Sequence, residues 1–463
     1  MLSLNPELGG IYDRIQALIL SCTLTITKLH PVDFSRCRLL PLGKLIIVIL
    51  SVVSGGRDKG IQTKLEEFFT AVRRSQVWAN AQSPHRSAFT KARAKISWEA
   101  FKTLFQQFVN LAHECFPDRE EYRWQGFSVY AFDGSKYNLP ATTDIRAEFD
   151  PDSGLDKPGK GHYPQALITT VYDVFRRLPI ARTVCPIAQG DERAQAMQLF
   201  ASVPPSSVSL FDRGFPSYGF LDFLNRQSDR YYVVRCPGQS TFAAVEAFVS
   251  RGEAEAILYL LPSNEFKRHI TRAERKTLAP IRVRAIRLEH PDGTVSVLLT
   301  NLFDPVQFPC SALISLYYRR WAIENHYRDE KTLQHIETFH ARTPNGIRQE
   351  LFAILIVCVI ARLLTALSVS SESVETENCV VQPQIKNAIM AVAREAALLL
   401  PDDPEQAFVL FQELLDAIRK VKYYKPKKTR PPAPRINKRP VNKWKTYRKK
   451  QEQSPCPNEF APW

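Results

Sequence analysis

The sequence predicts a mixed α/β protein with a helical N-terminal region and a basic, proline-rich C-terminal tail. Three observations point there. The 463 residues are 44% hydrophobic and 24% charged, enough to bury full cores. Helical periodicity gives way near Phe127 to alternating strands and helices, and the positive charge gathers near the C-terminus. Such a composition excludes a disordered chain and a disulfide-built miniprotein, and the length suggests about two to four domains. The nine cysteines (Cys22, Cys37, Cys115, Cys185, Cys236, Cys310, Cys358, Cys379, Cys456) are odd in number and never spaced CxxC. Neither a disulfide framework nor a zinc cluster is expected, and a reducing cytoplasm fits. The N-terminus lacks the basic, apolar, small-residue order of a signal peptide, so export is not expected. Of two apolar runs, Leu45 to Val53 is too short to span a bilayer and Leu351 to Val369 contains Arg362. Both are expected as buried core helices, with no membrane partner.

Residues 1–125 read as helical. Ser83-Pro84 has the form of an N-cap with Pro at the first helical position, opening a helix to about Lys95; Ser97 caps a second to about Cys115. Arg86, Lys91, Arg93 and Lys95 suit either a helix-turn-helix contact with DNA or the outer face of a packed helical hairpin. From residue 126 the expected order is strand (Phe127 to Phe132), hairpin (Tyr163 to Phe175 with Leu178 to Cys185), helix (Asp191 to Val203), strand (Ser207 to Phe211), helix (Pro216 to Arg226) and strand (Tyr231 to Cys236). Residues 237–316 read as a β-rich insertion, marked by a hairpin through Pro291-Asp292-Gly293. Long helices are expected at about Ser311 to Glu337 and Pro344 to Ser368, and residues 401–463 hold a last helix and the tail.

Between Val421 and Lys450 there are thirteen Lys or Arg and no acid; removing those thirteen leaves 49 basic against 47 acidic side chains. Pro426, Pro431, Pro432, Pro434 and Pro440 forbid a helix, while Tyr423, Tyr424, Trp444 and Tyr447 offer stacking faces. The segment reads as an extended arm for a polyanion, nucleic acid foremost; a solvated basic tail is the plainer alternative.

Asp133 follows the apolar run Tyr130-Ala131-Phe132, with Gly134 and Ser135 expected to turn the chain away. Asp212 follows Val208-Ser209-Leu210-Phe211 and precedes Arg213-Gly214. If those strands are neighbours, two carboxylates converge where hard oxygen ligands hold Mg²⁺. A lone Asp-Gly is only a turn signal. At about 100° per residue, Arg320, Glu324 and Lys331 fall roughly −60°, −20° and −40° from Tyr317, one narrow strip of a helix. Asp329 and Glu330 point elsewhere, and the strip could also be a solvated face with Glu–Lys pairs. Three carboxylates with cations suit two-metal phosphoryl transfer; a glycosidase would leave the basic arm and the strip unexplained.

At these residues the sequence resembles the bacterial DDE transposases of the insertion-sequence-four family, through Asp133-Gly134-Ser135, Asp212-Arg213-Gly214-Phe215 and the Tyr-x2-Arg-x3-Glu-x6-Lys series Tyr317, Arg320, Glu324, Lys331. The resemblance implies a ribonuclease-H-like catalytic core interrupted by the β-rich insertion, with the helical N-terminal domain and basic tail outside it. It implies a bacterial, nucleoid-associated enzyme of cut-and-paste transposition, acting as a homodimer on terminal inverted repeats and target DNA. Carried over, Asp133, Asp212 and Glu324 are the catalytic acids that bind two Mg²⁺ or Mn²⁺ ions, and Tyr317, Arg320, Lys331 and Arg213 contact DNA. Trp321 stands where the family places a stacking platform for a displaced base, a position that also suits a buried structural tryptophan. No tryptophan lies between 237 and 316 to serve as the second aromatic clamp of some relatives. A catalytically inactive DNA-binding repressor and a nuclease without strand transfer are the alternatives. The first would lack an acid, and none is missing.

Overall fold

The computed structural model describes residues 6–25, 29–30, 32–35, 39–54, 60–116, 119–150, 163–187, 190–268, 270–290, 293–332, 337–368, 375–376 and 379–426. A large unit takes residues up to 372 with 383–422; a small one takes 373–382 and the residues from 423 on. Among the described residues of the large unit, five α-helices precede the first strand: α1 (Pro6–Thr25), α2 (Leu42–Ser54), α3 (Ile61–Arg74), α4 (Arg86–Arg93) and α5 (Trp98–Cys115). Ser97 caps α5 as its sequence predicts, its Oγ accepting from the Glu99 amide at 3.3 Å. The cap of α4 is His85 instead of Ser83, with Nδ1 accepting from the Ser87 amide. Arg93 is buried, where an exposed basic face was expected: its guanidinium meets Glu350 at 2.8 Å, Gln349 at 2.8 Å and the Gly346 carbonyl at 2.7 Å.

The strand–helix region builds one eight-stranded sheet from β1 (Ser128–Asn138), β2 (Gln165–Asp173), β3 (Leu178–Pro186), β4 (Ser207–Phe211), β5 (Arg230–Pro237), β6 (Glu255–Leu260), β7 (Ile281–Glu289) and β8 (Val295–Thr300), in the order β3-β2-β1-β4-β5-β8-β7-β6. β1 runs antiparallel to β2 and parallel to β4, and β4 runs parallel to β5. The segment read as a β-rich insertion therefore extends the same sheet through β8, antiparallel to β5. Between the strands lie α6 (Thr143–Phe149), which the sequence did not announce, α7 (Glu192–Leu199), α8 (Tyr218–Asn225), α9 (Ala243–Arg251), α10 (Asn264–Arg268) and α11 (Arg272–Lys276).

After the sheet come α12 (Cys310–Tyr318), α13 (Trp321–Thr332), α14 (Pro344–Ser368), α15 (Ile385–Arg394) and α16 (Pro404–Lys420). The single helix expected from Ser311 to Glu337 is thus two, because Arg319 and Arg320 bond back three residues, to Leu316 and Tyr317, in a tight turn. α14 is apolar and long enough to cross a membrane by composition, but 83% of its apolar window is buried inside the protein. It packs on α5, α2, α15, α16 and β3 as a core helix. The small unit is a three-stranded sheet, in the order β11-β10-β9, of β9 (Glu375–Thr376), β10 (Cys379–Pro383) and β11 (Lys422–Pro426). The rest of the basic arm, from Lys427 on, lies outside the described residues.

Candidate active site

The parallel register of β1 and β4 decides where the two aspartates stand. Ala131 pairs with Leu210, and Asp133 and Asp212 each lie two residues beyond, so both carboxylates leave the same face of adjacent strands. One residue earlier, Phe132 and Phe211 stack at 4.8 Å on the opposite face. β1 does not turn away after Asp133. It stays extended to Asn138 because β2 pairs with it throughout, and the site opens where β4 stops.

α13 crosses this face and contacts alternate residues of β1. Lys331 Nζ lies 2.9 Å from Ser135 Oγ and 2.7 Å from the Lys136 carbonyl oxygen. The Tyr327 hydroxyl donates to the carbonyl of Asp133 at 2.7 Å. Glu330 is turned away from the acids, although the turn at Arg319 and Arg320 breaks the single helix along which its angle from Tyr317 was counted. It is buried against Arg182 at 2.8 Å and accepts from the Tyr137 hydroxyl at 2.5 Å, with His326 Nε2 at 3.2 Å. Glu324 remains toward the aspartates, and Arg320 Nη2 donates to its Oε1 at 2.7 Å.

The electrostatics show the acids share one region. Burial pushes the Asp133 carboxyl up to about 7, and although Arg320 opposes the rise, Asp212, Glu324 and Glu192 add to it. Burial likewise raises Glu192, with Asp212 adding its charge. Glu192 is a residue that sequence reading missed. It opens α7 behind the cap Asp191, so its acidity reads as an ordinary complement to the helix dipole. In the fold it crosses beneath Gly134: a Cβ there would stand 2.5 Å from Glu192 Oε1, and one on Gly214 would stand 3.1 Å from Asp212 Oδ1. The two glycines leave room for the carboxylates beside them.

The remaining expected residues divide by exposure. Tyr317 and Arg320 are buried, and Tyr317 Oη and Arg320 Nε have no hydrogen-bond partner among the described residues. Burial raises the Tyr317 phenol, with the Arg320 guanidinium working against it. Trp321 is 38% exposed and so is not a core tryptophan; the Arg320 guanidinium lies 5.8 Å from its ring centre. Arg213 is exposed beside Asp212, and Lys331 is half-buried. All the donors are hard oxygens, which fits a divalent cation in kind. Among the described residues no three acid, His or Cys side chains yet close around one point, so the site presents a negative field and two orphaned polar atoms in place of an assembled ligand shell.

The family model described as the transposase DDE domain matches residues 124–360, half of the chain, and the class follows: this is a DDE-domain protein. Among relatives, the transposase InsG for insertion sequence element IS4 of Escherichia coli K12 is 24% identical over 279 residues, which cover 60% of each chain. The putative transposase InsZ of the same organism is 25% identical over 155 residues, covering 32% of this chain and 49% of InsZ. The chain thus spans about three fifths of one relative and half of the other. Among solved structures, a piggyBac transposase synaptic complex with hairpin DNA superposes with a TM-score of 0.44 at 11% identity, covering 95% of this chain and 87% of that one. The chain belongs to the IS4 family of DDE transposases. That membership implies dependence on a divalent metal.

Proposed function

We propose that the protein is a DNA transposase that excises and inserts an insertion sequence by phosphoryl transfer, with Asp133, Asp212 and Glu324 as its catalytic acids. The observation that carries this reading is the register of β1 and β4, which sets two aspartates side by side facing the helix that bears Glu324. Three antiparallel strands followed by two strands parallel to the first, in the order β3-β2-β1-β4-β5, support a ribonuclease-H-like core. On this reading residues 126–236 and 317–400 compose that core, 237–316 its insertion, 1–125 a helical domain toward the DNA ends, and 401–463 a last helix and the basic tail.

Asp133, Asp212 and Glu324 would hold two Mg²⁺ or Mn²⁺ ions, which when bound activate an attacking oxygen and stabilise a leaving one. Glu192 adds a fourth negative charge from beneath the strands. Arg320 aligns the Glu324 carboxylate, and its unbonded Nε, with the Tyr317 hydroxyl, is left for an anionic oxygen. Lys331 and Arg213 flank the phosphate, and the half-exposed Trp321 would stack on a base turned out of the duplex. In the reaction, water displaces the 3′-oxygen at the element's end. The freed 3′-hydroxyl then displaces an oxygen of the opposite strand, closing a hairpin. After the hairpin opens, the same hydroxyl displaces an oxygen of target DNA. Phosphorus exchanges one oxygen for another at each step. Two copies of the chain would bring the paired terminal repeats together, with the bacterial nucleoid as the setting.

A strand-transfer assay on paired element ends tests the proposal. Asp133→Asn, Asp212→Asn and Glu324→Gln should each abolish cleavage while gel-shift binding of the ends persists. Normal cleavage by any of the three removes that residue from the set. Products that are cut but never joined would reduce the protein to a nuclease.

A further inference from the structure

Among the described residues, three side chains of α13 tie it to β1, and each ends on a different part of the strand. Lys331 Nζ, half-buried, reaches Ser135 Oγ and the Lys136 carbonyl oxygen. Glu330 is buried against Arg182 and accepts from the Tyr137 hydroxyl. The third is Tyr327, 5% exposed, whose hydroxyl donates to the Asp133 carbonyl at 2.7 Å and lies 3.2 Å from the carbonyl oxygen of Ile168 on β2. One phenolic proton cannot serve two carbonyls equally, and the shorter contact takes it. Of the three ties, that of Tyr327 alone ends on a residue bearing a proposed catalytic acid.

Tyr327 falls between Glu324 and Lys331 of the Tyr-x2-Arg-x3-Glu-x6-Lys series, at a position the series leaves open. On a helix that rises about 1.5 Å per residue, Glu324 stands about 4.5 Å nearer the N-terminus and about 60° round, on the same side. The Tyr327 ring packs edge-on against Tyr137, with centroids 6.4 Å apart. Burial pushes its phenol well above the ordinary range, and the Asp133 charge adds to the rise, so the hydroxyl keeps its proton and acts as a donor. The fold has other means of seating these elements: β2 pairs with β1 throughout, and the Glu330 cluster buries α13. Glu324, by contrast, meets the aspartates only through the seat of α13. A shift of about 1 Å at such a group can cost about a hundredfold in rate.

We propose that Tyr327 is a positioning residue for the reaction, its hydroxyl tying the helix that bears Glu324 to the Asp133 peptide and so holding the third acid within reach of the other two as they close on a metal ion. The inference rests on the transposase reading and deepens it.

The test uses the full chain with Mn²⁺ alone, read by the electron paramagnetic resonance signal of the free ion, and single-turnover cleavage of an end duplex across Mn²⁺ concentrations. Mn²⁺ that Asp133→Asn no longer binds marks the ion held by the acids. Tyr327→Phe keeps the ring and loses one hydroxyl. It should bind that ion about tenfold more weakly and cut about tenfold more slowly at limiting Mn²⁺, returning to within about threefold of wild type when Mn²⁺ is in excess. Tyr137→Phe also loses a buried hydroxyl beneath α13, but one that bonds Glu330, and should leave Mn²⁺ affinity unchanged. Both variants should bind the end duplex as wild type does. Equal loss of Mn²⁺ affinity in the two variants, or none in Tyr327→Phe, overturns the assignment, and so does a Tyr327→Phe chain that no longer melts cooperatively. In each of those cases wild-type protein still cuts the ends and the transposase reading stands. If wild-type protein binds no Mn²⁺ that Asp133→Asn loses, and cuts no end, the transposase reading fails and takes this inference with it.

Discussion

Asp133 bears a charge that the folded protein resists, and this has a measurable sign. Its carboxyl is raised from the ordinary 3.8 to about 7, by burial first and by Asp212, Glu324 and Glu192 after it. Below the ordinary value both folded and unfolded chains hold the proton, and nothing is lost. Between about pH 4 and 7 the unfolded chain releases it first, so stability falls as pH rises and levels off above 7. Asp133→Asn should remove that slope and stabilise the metal-free protein at pH 8 by roughly 2 kcal/mol, less than the full shift implies because the group is partly open to water. Urea unfolding at pH 5 and pH 8 in chelator, compared between the two proteins, reads the difference. A second expectation concerns Gly134, where an added methyl meets the flexible end of Glu192. Gly134→Ala should fold normally and turn Glu192 aside. Its single-turnover cleavage should then drop about tenfold, as in Glu192→Ala, with the double variant no worse than either single one. Additive losses would mean that the methyl acts on something else.

At the scale of elements, α13 owes its place to a buried cluster. Burial alone would raise Glu330, but Arg182 and His326 beside it hold the carboxyl at about 2. The stability this gives is present above the usual 4.5 and is lost as pH falls from there toward 2, opposite in sign to Asp133. Arg182→Leu leaves Glu330 buried without its arginine, with only Tyr137 and His326 beside it, and should cost about 3–5 kcal/mol in urea unfolding. The double replacement Arg182→Leu with Glu330→Leu should recover much of that. Helical periodicity alone brought Glu324 and Lys331 to one face and turned Glu330 from it, so this part of the site was legible in the sequence. The turn at Arg319 and Arg320 was not, because its three-residue bonds interrupt the helix without changing the apolar pattern. Nor was the length of β1: Asp133-Gly134 reads as a turn, and only pairing with β2, remote along the chain, keeps it straight. Arg93 looked solvated because its partner Glu350 is 257 residues away.

Across the whole molecule α14 is the member that the other elements share. α2 and α5 reach it from the N-terminal side, α15 and α16 from the other, and β3 joins it to the sheet. The strand-and-helix order from residue 126 was readable because each element is local. The arrangement around α14 was not, since apolar residues on every side declare burial without naming neighbours. Removing residues 1–125 should therefore leave residues 126–463 aggregated instead of a free-standing catalytic core. Size-exclusion chromatography and near-ultraviolet circular dichroism would show it, and a monodisperse, natively packed fragment would refute it. A ribosome making this chain faces the same dependence in time. Copies of the gene cut short before α15 and α16 would release a greasy, unclad rod that chaperones and proteases seize. On the proposed transposase reading, damaged elements would then yield few stable fragments able to occupy DNA ends in place of the intact protein.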